Sequence, residues 1–177
     1  MRLEFGGTLK HKEGFLCCDI RDDEHVTYVC NCWEIDTKVD KESVEEIYSR
    51  HMFEHLTFAQ GRKTLEVWLE ILKLGGKVHL IMPDLKYHAD EYLRFYNDRG
   101  SSQKGNNFFH AIKSIFGGQR ENIDFDYMTS FNTAWDIHKS GYDEVSLKEL
   151  LESLGYVRFK RLENRPWHLD ILCFKEQ

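Results

Sequence analysis

Residues 44–85, VEEIYSRHMFEHLTFAQGRKTLEVWLEILKLGGKVHLIMPDL, decide the fold. Val44, Ile47 and Tyr48 begin an apolar strand that stops at the polar cluster Ser49, Arg50 and His51. Thr57 and Gln60 have the spacing of a capping box, in which each side chain satisfies an amide of the helix's first turn. Leu65, Trp68, Leu69 and Leu72 follow at i, i+3, i+4 and i+7, a single stripe to bury. Gly75 is expected to end this helix in a left-handed conformation. Residues 77–82 (KVHLIM) read as a second apolar strand, closed by Pro83, which has no amide to give to a ladder. Strand, helix and strand of this length form a βαβ unit, so the two strands should be parallel and the crossover right-handed.

Two pieces of this stretch, SRHMFEHL and LEVWLEILKLGGKVHLIMPDL, resemble the class I S-adenosylmethionine (SAM)-dependent methyltransferases. They are most like the small type 11-like group, whose fourth strand ends in S-x-H-x-x-E-H. In that group L-K-P-G-G precedes a fifth strand ending in P-D-L. Leu74 stands here in place of the proline, a change in turn stiffness rather than in chemistry. The resemblance covers most of the chain and weakens between about residues 87 and 132. It implies an α/β, Rossmann-like three-layer sandwich. The sheet would have seven mostly parallel strands and an antiparallel terminal strand. It also implies SAM as cofactor, and methyl transfer to a small-molecule or metabolite acceptor.

Working back to the N-terminus, RLEFGG reads as a strand over residues 2–5 and then a glycine turn, and it resembles the family's first motif. By that resemblance Glu4, Phe5, Gly6 and Gly7 line the cofactor, with Glu4 accepting from its amino group or from a bound water. A glycine pair lets the backbone approach a ligand that a β-carbon would block. Residues 14–20 (GFLCCDI) form a second strand that ends near Asp19, where nucleotide-binding sheets place a carboxylate for ribose hydroxyls. The third strand covers residues 26–32 (VTYVCNC). The resemblance sets Asn31 and Cys32 beside the adenine, with Trp33 either covering the ring or buried in the core. Ser49, Arg50 and His51 then form the lip of the pocket, with His51 near the methyl group or the substrate.

The connections between these first strands are short for parallel crossovers, which usually need a dozen or more residues. The family's early helices should therefore be shortened or lost. One face of the sheet would then need cover, from later aromatic helices or from a second copy of the chain in a homodimer.

His51, Glu54 and His55 also spell H-x-x-E-H, the signature of inverted zinc peptidases. The first histidine directly follows a strand and no third acidic ligand stands out, so a zinc hydrolase is a minor alternative and no metal is expected. Another alternative is a SAM- or nucleotide-binding module without catalysis. Helices are expected over residues 87–99, with Ala89, Tyr92, Leu93 and Tyr96 on one face, and over residues 108–116, ended by Gly117 and Gly118. The loop between them is residues 100–107 (GSSQKGNN). Residues 86–142 read as a substrate-side insertion within a single domain spanning residues 1–177. FGGQ at 116–119 and HKSGYD at 138–143 resemble stretches of the same group. His138 is the best candidate for a general base, since an imidazole suits proton removal near neutrality. Tyr127, Trp135 and Tyr142 are candidates for the substrate wall. Ser146 and Glu149 have capping-box spacing before the Leu147, Leu150, Leu151 and Leu154 stripe, which Gly155 ends. Two closing strands follow, joined through Asn164, Arg165 and Pro166.

Composition narrows the function. A chain of 177 residues with 41% hydrophobic and 31% charged content suits one globular core. A net charge of -6 does not suit a broad phosphate-binding surface, which demotes nucleic acid as a substrate. No apolar run approaches the roughly 18 residues that span a membrane, and no secretion signal is evident. Five cysteines without such a signal read as reduced, buried thiols in a cytoplasmic protein.

Overall fold

The computed structural model describes residues 1–7, 11–97, 105–117 and 137–176, with 105–109 as backbone only. One seven-stranded sheet organises them. Its strands are β1 (Arg2–Phe5), β2 (Leu16–Asp19), β3 (Tyr28–Val29), β4 (Val44–Arg50), β5 (Leu72–Pro83), β6 (Tyr156–Arg161) and β7 (His168–Lys175). Their spatial order is β3-β2-β1-β4-β5-β7-β6. The first five run parallel, and β7 is antiparallel to both β5 and β6.

The helix between β4 and β5, α1 (Phe58–Ile71), forms because its start is capped and one side is apolar. The amide of Gln60 donates to Thr57 Oγ1 at 3.2 Å, and the Thr57 amide donates to Gln60 Oε1 at 3.0 Å. Leu65, Trp68 and Ile71 are fully buried. The helix ends earlier than the glycine spacing predicts. Its last cap, Leu72, is already extended and is the first residue of β5. Gly75 does adopt a positive φ of 73°, but inside the strand. Val44 pairs with Leu72 and Glu46 with Lys77, so four residues of β5 bulge opposite one of β4.

The core lies on one face of the sheet. Leu3, Phe5, Cys18, Ile47, Val78, Leu80, Leu169 and Ile171 point toward α1 and toward α4 (Glu144–Leu154), which adds Leu147 and Leu151. The cap of α4 is Asp143 with Ser146, three residues before the expected Ser146–Glu149 pair. Gly155 ends the helix at φ 97°, as expected. Four of the five free cysteines are buried, and burial pushes the Cys32 thiol up to about 11 and Cys173 to about 12.

The early connections carry a single 3-10 turn, Ile35–Thr37, among the described residues. The opposite sheet face is polar, and its side chains find partners in the sheet and the adjoining loop. Lys12 and Lys77 reach Glu46 at 3.8 and 3.2 Å, and Lys12 Nζ lies 4.2 Å from the Tyr48 ring centroid. His79 meets Asp170 at 2.7 Å.

The aromatic helices α2 (Leu85–Asn97) and α3 (Gly105–Phe116) pack on each other beyond β5. In α2 the buried residues are His88 and Phe95, whereas Leu93 and Tyr96 of the expected stripe are exposed. In α3 Ala111 is buried and Phe116 exposed, and Gly117 follows at φ 90°. Gly105 to Asn107, expected as loop, are helical. Gly118, Gln119, Tyr127 and Trp135 lie outside the described residues. No described helix is long and apolar enough to cross a membrane.

Candidate functional site

Parallel strands deliver their last residues to one edge of a sheet, and that edge is where open α/β sheets bind ligands. Here β2, β1 and β4 end side by side in Asp19, Phe5 and Arg50. Gly6 follows β1, its amide donating to the Cys18 carbonyl at 3.2 Å, so the glycine turn and Asp19 lie next to one another.

Glu4 and Asp19 are both buried, on the polar face. Each already has partners within the chain. The Lys12 amide donates to Glu4 Oε2. The Arg21 amide and Nε donate to Asp19 Oδ1 at 2.9 and 3.0 Å, and an Arg21 terminal nitrogen to Oδ2 at 3.2 Å. The glycines are needed for close packing. A β-carbon on Gly6, at φ 84°, would lie 2.8 Å from Met52 Cβ, and one on Gly7 would lie 2.6 Å from the Glu4 carboxyl carbon.

Other expected cofactor residues are placed differently. The Phe5 side chain is in the core, its ring centroid 4.7 Å from that of Trp68. Cys32 is buried, with Sγ 3.2 Å from Thr64 Oγ1 and its carbonyl accepting from Trp68 Nε1. Asn31 donates to Glu34 at 2.9 Å. Both follow β3, which is shorter than expected.

A nucleotide-like group fits this edge in part. Ser49, at the end of β4, is fully buried and its hydroxyl has no partner, so one donor is available there. An ionised carboxylate offers about four lone-pair sites. Arg21 covers most of those on Asp19, so a ribose would have to share or displace it.

The other half of the edge is rich in histidine. His51 follows β4 with φ 50°, a conformation uncommon outside glycine and frequent at functional sites. A cavity of about 320 Å³ opens beside it, lined by His51, His88, His110, His138, Trp167 and His168 among others. Five of the chain's nine histidines thus meet at one cavity.

Their tautomers follow from their partners, because a carbonyl or ionised carboxylate oxygen only accepts. His51 Nδ1 donates to Glu54 Oε1 at 3.2 Å. His55 Nδ1 donates to the Ile137 carbonyl at 3.1 Å, and His138 Nδ1 to the Ser114 carbonyl at 2.8 Å. In the neutral form of each ring the lone pair then lies on Nε2. Burial pushes His138 below the usual histidine range, and His88 and His168 down to about 4. Glu54 Oε2 and His88 Nδ1 are buried without partners, and the buried Ser140 and Tyr142 hydroxyls have at most one another.

The structure thus brings Glu4, Gly6, Gly7 and Asp19 together, and groups His51 with His138. Sequence reading did not anticipate His88, His110, Trp167 and His168. They come from α2, α3 and the approach to β7, and no local spacing links them. Asp84, within the P-D-L signature, also has a structural task. It accepts from the Tyr87 amide at the start of α2 and from Arg161 at 2.7 Å.

No protein-family model matches this sequence, and no curated protein matches it. Solved structures do. A SAM-dependent methyltransferase from Archaeoglobus fulgidus superposes with TM-score 0.61 at 14% identity, over 98% of this chain and 85% of that one. The CurJ carbon methyltransferase gives 0.56 at 13%, over 99% of this chain and 48% of its own length. The 1,6-didemethyltoxoflavin-N1-methyltransferase of Burkholderia thailandensis, with bound 1,6-didemethyltoxoflavin and S-adenosylhomocysteine, gives 0.53 at 13%, over 99% and 71%. The chain therefore spans about half of one of these relatives and most of the other two. It has the fold of the class I SAM-dependent methyltransferases.

Proposed function

We propose that this protein transfers a methyl group from SAM to a small-molecule acceptor. The observation that carries the reading is the position of His51. It stands at the end of the central parallel strand, between the Gly6–Asp19 edge and the 320 Å³ cavity. Donor and acceptor held on either side of it would be neighbours.

When bound, SAM supplies an activated methyl group on a sulfonium that leaves as a neutral thioether. Gly6, Gly7, Asp19, Ser49 and Arg50 would hold it, with Glu4, Phe5, Asn31 and Cys32 shaping the strand ends beneath. The remaining work is to align the acceptor, exclude water and remove one proton where the acceptor carries one. Of the two histidines read as catalytic, His51 has the better arrangement for a base. Its Nδ1 is held by Glu54 and its Nε2 is free to accept. His138 lines the same cavity. Residues 86–142 act as the substrate-side insertion of a single domain. The five free thiols suit a reducing compartment such as the cytoplasm.

A second reading, a SAM-binding module without turnover, is favoured by the Asp19–Arg21 ion pair, in which Arg21 competes with ribose hydroxyls for the Asp19 carboxylate. Calorimetry with SAM and S-adenosylhomocysteine, followed by methyl release in the presence of a small-metabolite extract, separates the two. Binding with turnover supports the enzyme, binding alone the module, and no binding overturns both.

A further inference from the structure

Glu54, His55 and His138 each offer one ligand atom, and these atoms all lie within 4.8 Å of one another. Glu54 is nearly sealed from solvent at 2% exposure, and its Oε2 has no hydrogen-bond partner. Both histidines donate their Nδ1–H to backbone carbonyls, which leaves the Nε2 lone pairs as their remaining capacity. Two imidazole lone pairs crowded against a buried carboxylate oxygen repel it and one another unless a cation stands between them. An imidazole whose other nitrogen donates to a carbonyl is also the arrangement that orients a metal-bound histidine.

We propose that Glu54 Oε2, His55 Nε2 and His138 Nε2 bind a divalent first-row transition metal, with zinc as the reference ion. Two imidazoles and one carboxylate suit zinc, iron, cobalt or nickel better than calcium or magnesium. Ligand atoms around such an ion stand roughly 3.3 Å apart, given bonds of about 2.0–2.2 Å. One ring nitrogen of each histidine and one carboxylate oxygen already lie within 4.8 Å of one another, so ligation asks for a closure of about 1.5 Å and rotation of the rings onto Nε2. His51, bonded to Oε1, fixes the carboxylate from the other side. This set differs from the H-x-x-E-H reading, because His138 replaces His51 as the second imidazole. Three protein ligands leave a coordination position for water or for an acceptor oxygen, and His138 lines the large cavity. The adjoining small cavity, lined by Glu54 and Ser140, holds only about 10 Å³, space for no more than one water.

Metal binding here is tested without methyl transfer, with zinc alone. The full chain, dialysed against a chelator, is titrated with zinc against a chromophoric competitor and melted with and without the ion. One equivalent should bind and raise the melting temperature. His138→Ala and His55→Ala should each weaken binding by roughly 100-fold or more. Cobalt in place of zinc should give the intense visible bands of a low-coordinate site, absent in both variants. His11→Ala removes one of an exposed surface pair, His11 and His25, whose ring centroids are 5.8 Å apart, and should change nothing. Should His138→Ala lose its circular dichroism, His55→Ala alone decides the question. Failure to bind zinc would assign Glu54 Oε2 to a buried water, and stoichiometric binding retained in His55→Ala would assign the metal to other residues. Either result overturns the proposal.

Discussion

At the ends of β2 and β1 the buried carboxylates are already satisfied from within the chain, Glu4 by the Lys12 amide and Asp19 by Arg21. Across the same sheet edge, beyond β4 and β5, Glu54 and His88 bury polar atoms with no partner. A buried polar atom left unpaired costs free energy that a ligand can recover. Apart from the unpartnered Ser49 hydroxyl, the first half must therefore exchange an internal contact to bind a ligand at its carboxylates, whereas the second gains contacts outright. The contrast arises from the connections. Short loops fold back onto the strand ends at Lys12 and Arg21, while α2 and α3 pack beyond β5 and leave a cavity.

Both halves rest on Trp68, and its removal is the most disruptive test of the comparison. The ring packs against Phe5 on one side and Phe53 on the other, and Nε1 holds the Cys32 carbonyl. Trp68→Ala should cost about 3–5 kcal/mol, read from urea unfolding. A loss confined to one half, with the other still cooperative, would mean the two halves are independent units.

Gly6 is the seam between the halves. Gly6→Ala adds a β-carbon 2.8 Å from Met52 Cβ to a left-handed φ of 84°. Gly155→Ala meets nothing closer than 3.8 Å and should lose only about 1–2 kcal/mol for its handedness. Unfolding curves should rank Gly6→Ala as the worse of the two. Equal losses would show that Met52 yields freely.

Exchange in the first half is tested at Asp19. Asp19→Ala should weaken SAM binding by about 1–3 kcal/mol, because ribose hydroxyls lose a charged acceptor. Arg21→Ala should tighten it, by freeing that same carboxylate. If calorimetry shows both variants weakened alike, Arg21 itself touches the ligand and the first half is not self-satisfied in function.

The smallest expected effect is a pH dependence belonging to the second half. His88, facing His110 and Asp84, and His168, facing His51, Arg50, Arg165 and Asp170, are pushed down to about 4, chiefly by burial. The unfolded chain takes up these protons near 6.5 and the folded chain does not. Stability should thus be complete above about pH 6.5 and decline as pH falls toward about 4. Urea midpoints across that range should flatten in His168→Asn. An unchanged slope would move the titration elsewhere.

Much of the first half was legible in sequence because its cues are local. A glycine pair, a carboxylate closing a strand and a capping box each act within a few residues, so spacing alone places them. Even there neighbours intervened. Gly75 bulges β5 rather than ending α1, since Val44 already draws Leu72 into the ladder. Asp143, not Ser146, caps α4, because its carboxylate reaches the Ser146 amide at 2.8 Å.

The sequence by itself determined the parallel βαβ centre, the burial of most of the cysteines and, among the described residues, the loss of early helices. Periodicity and chain length constrain those directly. Only the tertiary structure decided that His55 faces His138 and that five histidines from distant segments share one cavity. Such encounters depend on where α2, α3 and β7 come to rest, which no residue spacing along the chain encodes.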